Sequence, residues 1–468
     1  MAFVAAVTPR TRRNVELALL VLAIGVGLGA YALVGIAQNG SVPGDMLSYG
    51  GGMGLLALGV HLVLRWKAAY ADPVLLPIAT ALNGLGLVVI HRLDLAKHRD
   101  VASSQALRQL TWTALGVVAA IAVLLWVRDH RALRRYTYTA MSVGLALLLL
   151  PLVPGLGKNI NGARIWIGAG PLSFQPGELA KILLTIFFAG YLVTARDSLS
   201  LVGRKVLWLQ LPRARDLGPL IVAWLASLGV LVFENDLGTS LLFFGLFVAL
   251  LYVATERTSW IVIGLLMFFG GSFAAWTQVA HVQTRVAIWL HPFDPANADR
   301  AYQLLQGLYG MASGGLLGTG LDLGRPDLVP FAESDFIVAS LGEELGLTGL
   351  FAVLMLYALL AERGLRTAIG VRDGFGKLLA AGLAFSIALQ VFVVVGGVTR
   401  VIPLTGLTTP FMAYGGSSLL SNWVIVGLLL RISDSARRPG PDPAALNLPF
   451  PGSAALVNPD APTEVVPA

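Results

Sequence analysis

Cysteine is absent from all 468 residues, and charge is scarce, with Asp, Glu, Lys and Arg together making up 13%. The first absence excludes disulfides, thiol catalysis and cysteine-ligated metal. The second excludes an ordinary soluble fold. Hydrophobic residues account for 56% of the chain and mean hydropathy is +0.75, more apolar surface than a water-soluble fold can hide. Long polar stretches are also missing, so a single membrane domain with tails is expected rather than a separate globular domain.

What the sequence has instead is apolar runs. A hydrocarbon core about 30 Å thick takes roughly 20 residues of helix. About twelve runs near that length recur, centred on 15–36, 46–65, 72–91, 109–127, 135–153, 173–194, 217–233, 238–254, 259–278, 336–361, 378–399 and 408–430. They are continuous rather than alternating, and backbone groups in lipid must be paired within the segment, so an all-α polytopic bundle is expected and not a barrel. An even number of spans puts both termini on one side. Arg10, Arg12 and Arg13 mark that side as cytoplasmic, and the inside segments then hold about 22 of the 33 Lys and Arg. The net charge of +7 is accounted for in this way and needs no nucleic acid. The basic start resembles a signal peptide but lacks a small-residue cleavage site, so a retained first helix is expected. The domain plan is a cytoplasmic N-terminus at 1–14, a membrane domain at 15–431 and a Pro- and Ala-rich, disordered cytoplasmic tail at 432–468.

Two connections on the predicted outside are long, 154–172 and 279–335, and long ordered loops tend to carry function. The larger precedes the last three spans and mixes amphipathic helix signals with Gly turns. Its glycines at 314, 315, 318 and 320 lack the strand context and the Gly-Lys-Ser/Thr ending of a phosphate loop. Ionisable residues at membrane depth are costly, and Glu178 and Lys181 in FQPGELAK sit three apart on one helical face. Two readings stand: an ion pair that lets both be buried, or a Lys181 that meets an anionic group while Glu178 holds it in place. Asp236 in ENDLGTS caps a helix or faces a cavity. Arg164 in NGARIWI stands on the side poor in positive charge, where Trp166 reads as an interface anchor. LTTPFMAYGGSSLLSN offers a Pro-broken helix start with Ser417 and Ser418 near membrane depth, lining a cavity or packing helices tightly.

Taken in order, NGARIWI, FQPGELAK, ENDLGTS, HPFDP with AYQLLQGLYGMASGGLLGTGL, ESDFIVASLGEELGLTG and LTGLTTPFMAYGGSS resemble the signature blocks of the SEDS family, which groups RodA, FtsW and SpoVE proteins. The resemblance covers about 158 to 431 and is closer to the RodA branch in its actinobacterial form. It departs at Gly177, where the family has serine, and in having five spans before NGARIWI instead of three, so that two extra N-terminal helices precede a ten-helix core.

The resemblance implies a peptidoglycan glycosyltransferase that joins lipid II units into glycan strands beside a class B penicillin-binding protein, with the membrane lipids as its medium. The family's catalytic aspartate falls on Asp294 of Asp294-Pro295. The spacing to Tyr302 is two residues longer than the family pattern, which leaves Asp299 as a rival, and on sequence alone an Asp-Pro pair is a turn opener. A polyprenyl pyrophosphate is a good leaving group, so one general base suffices. Asp294 takes that role, Lys181 and Arg164 face the pyrophosphate, Glu178 orients Lys181, and Asp236 completes the cavity or helps hold a divalent cation. No clustered ligand motif calls for a tightly bound cofactor, so any such cation is exchangeable. A lipid-precursor transporter and a non-enzymatic scaffold are the rival functions; polar residues gathered toward one side and the lack of an internal repeat count against the transporter.

Overall fold

A computed structural model describes residues 11–439 apart from 161–162, 170–171, 201–204, 207–208, 211–213 and 235. The chain runs through α1 (Arg13–Asn39), α2 (Met46–Lys67), α3 (Leu75–Ala96), α4 (Gln105–Trp126) and α5 (Thr137–Leu149). A small antiparallel sheet follows, with β1 (Gly157–Ile160), β2 (Ala163–Ala169) and β3 (Leu172–Phe174) in that order. Then come α6 (Pro176–Ser200), α7 (Ala214–Phe233), α8 (Leu237–Thr255), α9 (Ser259–Gln278), α10 (Ala280–Leu290), α11 (Ala298–Gly314), α12 (Ile337–Glu344), α13 (Gly346–Gly370), α14 (Gly374–Val398) and α15 (Gly416–Arg437). Among the described residues, ten helices are long and apolar enough to cross a membrane: α1 to α4, α6, α8, α9 and α13 to α15. The two further expected spans, 135–153 and 217–233, coincide with α5 and α7.

Helix starts follow from local chemistry. Ser104, Asp236 and Asp373 each accept a hydrogen bond from the backbone N–H three residues on, satisfying a donor that the first turn leaves open. Burial then sorts the helices. α3, α14 and α15, with most of α6, form the interior, while α9 exposes nearly all its surface and α1, α2 and α4 bury only a stripe. Polar side chains join the interior helices where an apolar contact would have no directional preference. Trp423 on α15 donates through Nε1 to Asn83 Oδ1 on α3 at 3.0 Å, and Asn83 donates to Thr113 on α4 at 3.2 Å.

The bundle has two chemically distinct ends. At the tail end, Asp72 is fully buried beside Arg437 and within 3.9 Å of Arg363, Arg431 donates to Lys67 O at 2.8 Å, and His130 meets Asp373 at 2.8 Å. These contacts gather the segments near 65, 131, 370 and 430 at one end, the grouping that positive charge predicts. At the loop end, residues 279–335 fold over α3, α12 and the α14–α15 connection.

Three expectations need correction. The span placed at 336–361 is broken: α12 stops at Glu344, and the spanning helix α13 starts at Gly346. Gly346 has φ +67°, and the backbone of 316–318 presses against it. The span placed at 408–430 begins only at Gly416, since 401–415 runs without helix and Tyr414 N donates to Glu333 O at 2.7 Å instead. The tail placed at 432 begins later, because α15 continues to Arg437 with Ser433 and Asp434 buried; residues from 440 onward lie outside the described residues.

A Gly346→Ala substitution is expected to lower stability by at least about 1–2 kcal/mol, the cost of a left-handed Cβ, with the backbone clash in addition. Gly51→Ala, inside α2 where an added Cβ meets nothing within 4 Å, is expected not to lower the melting temperature of the detergent-solubilised protein and to raise stability by up to about 1 kcal/mol.

Candidate functional site

Polar groups converge at the loop end of the interior helices. α6 begins at Pro176, which needs no N–H partner at a helix start. One turn later Glu178 and Lys181 both lie buried and form an ion pair at 2.7 Å. Lys181 Nζ also donates to Gln390 Oε1 on α14 at 2.9 Å, and Gln390 in turn donates to Thr408 O at 2.9 Å. One of the three ammonium donors is thus spent on Gln390, with the Glu178 carboxylate beside it as the counter-charge. The Ser417 hydroxyl accepts from Gln175 N at 2.8 Å and ties the start of α15 to the residue before α6. The sheet is attached to the same place, for Arg164 N donates to Glu234 O at 3.1 Å.

The α7–α8 turn contributes two carboxyls. Asp236 caps α8 by accepting from Thr239 N at 2.9 Å. Burial pushes its pKa up, the bonds from Thr239 oppose that, and the Glu178 charge adds to it. Glu234 is buried with Oε1 unpartnered among the described residues, and burial followed by the neighbouring Asp236 pushes it up to about 8. Among the described residues no group of three His, Asp or Glu side chains is placed to hold a metal.

Asp294 lies on the connection between α10 and α11 and Asp299 just inside α11, and both side chains are exposed. Asp294 opens a 3-10 turn, one carboxylate oxygen accepting from Ala296 N at 2.9 Å, so the turn-opener reading holds and the other oxygen is left outward. Asp299 sits in the first turn of α11.

Four residues that sequence reasoning did not single out complete the site. Gln390 is a lone amide inside an apolar run, a signal that intramembrane polarity could have raised. Arg285 on α10 donates to Leu404 O at 2.8 Å and feels the charges of Asp236 and Asp335. Asp335 is pushed up to about 7 by burial, against the pull of Arg285. Glu333 is the anchor of this side. Its carboxylate binds Lys97 at 2.6 Å and Arg99 at 2.8 Å, and Arg99 also binds Asp94 at 2.9 Å. Burial works against ionisation of Glu333, but the hydrogen bonds from Arg99 and Lys97 outweigh it and hold the carboxyl down at about 2.

Two outcomes follow. Glu333→Gln is expected to cost about 1–3 kcal/mol by thermal unfolding at neutral pH, because Lys97 loses its charged partner and Arg99 one of its two. Glu234 has a folded pKa above the ordinary 4.5, so its contribution is complete below that value and is lost as pH rises through about 8. Glu234→Gln is expected to flatten the fall in melting temperature between those limits.

The family of cell cycle proteins that groups FtsW, RodA and SpoVE matches residues 73–438, which span α3 to α15. A protein of Mycobacterium tuberculosis named peptidoglycan glycosyltransferase RodA is 51% identical over 443 residues, covering 93% of this chain and 93% of its own length. The stage V sporulation protein E of Bacillus subtilis is 33% identical over 79% of this chain and 99% of its own. Among solved structures, a chain from a peptidoglycan synthase complex described as coordinating polymerization and crosslinking is similar, with TM-score 0.64 and 28% identity over 78% of this chain and 98% of that one. The rod shape determining protein RodA of Thermus thermophilus has TM-score 0.54 and 27% identity over 81% of this chain and all of its own. With the match extending across the whole helical core, this chain belongs to the FtsW/RodA/SpoVE family of cell cycle proteins, the SEDS family.

Proposed function

We propose that this chain is a peptidoglycan glycosyltransferase of the RodA type, polymerising lipid II at the outer face of the bacterial cytoplasmic membrane during elongation. The observation that carries the reading from the site is Lys181: an ammonium buried in an apolar bundle, held by Glu178 and Gln390, with a donor to spare. A group of that kind suits a diphosphate that develops charge as it leaves. The names of the mycobacterial relatives support the same reaction.

In this reading the loop end faces outward and both termini lie in the cytoplasm, as the Lys and Arg distribution favours. The acceptor hydroxyl oxygen forms a bond to the donor's anomeric carbon. The bond from that carbon to the diphosphate breaks, the diphosphate leaving with the electron pair. The hydroxyl proton passes to Asp294, whose outward oxygen is not committed to the turn. Lys181 and Arg164 stabilise the departing diphosphate, Glu178 orients Lys181, and Asp236 and Ser417 shape the cavity. A class B penicillin-binding protein crosslinks the product, in keeping with a structural relative that comes from a complex coordinating polymerization and crosslinking.

The test is glycan-strand formation from labelled lipid II by the purified protein with a cognate class B partner. Asp294→Ala is expected to lower the rate by roughly 10²–10⁴-fold, the range for a general base, while Asp299→Ala retains activity. Loss confined to Asp299→Ala would move the base by five residues. Transport of lipid II across vesicles without polymer would favour a transporter, and full activity in both variants would remove the aspartate mechanism.

A further inference from the structure

A cleft between α10, α11 and the loop end of α14 takes no part in the chemistry above. Ile288, Leu304, Ile402 and Leu404 form an apolar wall, and Arg285 and Arg300 supply the charge; no carboxylate lines it. The wall is braced from behind. Trp289 Nε1 donates to Arg400 O at 3.1 Å and Arg400 Nε donates back to Trp289 O at 2.9 Å, clamping α10 onto the α14–α15 connection. Arg285 spends one donor on Leu404 O and feels the charges of Asp236 and Asp335. Arg300 makes no ion pair or hydrogen bond among the described residues. A lone exposed arginine is ordinarily just hydrated. Here it shares a braced apolar cleft with a second, half-buried guanidinium, and two such forks facing one recess match the oxygens of a phosphate group.

The position of the cleft relative to Lys181 gives it meaning. Gln390, the partner of Lys181, and Gly397, which lines the cleft, are both on α14. Seven residues are almost two helical turns, so both lie on one face of α14, about 10 Å apart along its axis. Lys181 and the cleft are thus both seated against the same face of α14. An enzyme that joins two lipid-linked sugars must hold two diphosphates at once, with the sugars between them.

We propose that the Arg285–Arg300 cleft binds the diphosphate of the second polyprenyl-linked saccharide, its apolar wall receiving the first part of the prenyl chain, while Lys181 holds the first. The proposal rests on the polymerase reading above for the identity of its ligand. It assigns the cleft binding only; no bond is made or broken there.

The experiment counts labelled undecaprenyl diphosphate bound to the full-length protein in nanodiscs. Wild type is expected to bind two molecules. Arg300→Glu and Arg300→Ala are expected to weaken one site roughly 10- to 100-fold, the worth of a charge-assisted contact, and Arg300→Lys to restore part of it. Lys181→Ala is expected to weaken the other site alone. Because Arg300 is exposed, persistence of the Lys181 site in its variants shows that they are folded. A single site in wild type would overturn the proposal, as would two sites indifferent to Arg300→Glu. Displacement by inorganic pyrophosphate or by phosphatidylglycerol at equal strength would also overturn it, since neither pairs a diphosphate with a prenyl chain. Two-site binding by a wild-type protein that makes no polymer would sink the polymerase reading and leave the cleft standing.

Discussion

Among the described residues the buried charges of Glu16, Asp72, Arg92, Lys181 and Glu333 are each paired, and that pairing organises the rest of the molecule. In an apolar interior an ion without a partner costs several kcal/mol, so each buried charge draws a second element toward it. Lys181 draws Glu178 from its own helix and Gln390 from α14, and Gln390 then holds the extended segment at Thr408. The polar site and the packing of α6 against α14 are thus a single arrangement.

The same rule fastens the two ends. At the loop end, Arg92 is buried against Glu344 at 2.5 Å and Asp322 at 3.3 Å, while Lys97 and Arg99 grip Glu333. The long loop is therefore bonded to α3 at two places. This bonding carries Asp335, two residues past Glu333, to the neighbourhood of Arg285 and Asp236. At the tail end Arg13 reaches Ala71 O and Glu16 meets His61 at 2.6 Å, so α1 and α2, which precede the family match, are tied to each other and to the start of α3.

The site itself divides between rigid and open parts. Glu178, Lys181, Asp236 and Ser417 lie on spanning helices or their caps and are buried, whereas Asp294 sits exposed on a short turn between two loop helices. In the proposed reaction a base on a turn of this kind would leave room for a sugar to approach, while the charge assigned to the diphosphate would be fixed beforehand. The division suits a reaction in which the leaving group needs electrostatic support more than a proton.

Apolar runs near the length of a bilayer were enough by themselves to determine helices, their approximate number and the end at which positive charge gathers, because lipid permits few other solutions. A charge in an apolar run is conspicuous, which singled out Glu178 and Lys181, whereas Asp294 was pointed to only by the family resemblance. Where helices break was decided only by tertiary contact: Gly346 and the segment 401–415 depart from the hydropathy pattern because neighbouring backbone occupies the space and takes the hydrogen bonds. So were the partners. Gln390 lies 209 residues from Lys181, Glu333 234 residues from Arg99, and Leu404 119 residues from Arg285. Periodicity and local motif can report that a buried charge needs a partner, but which distant residue supplies it is settled only when the helices pack.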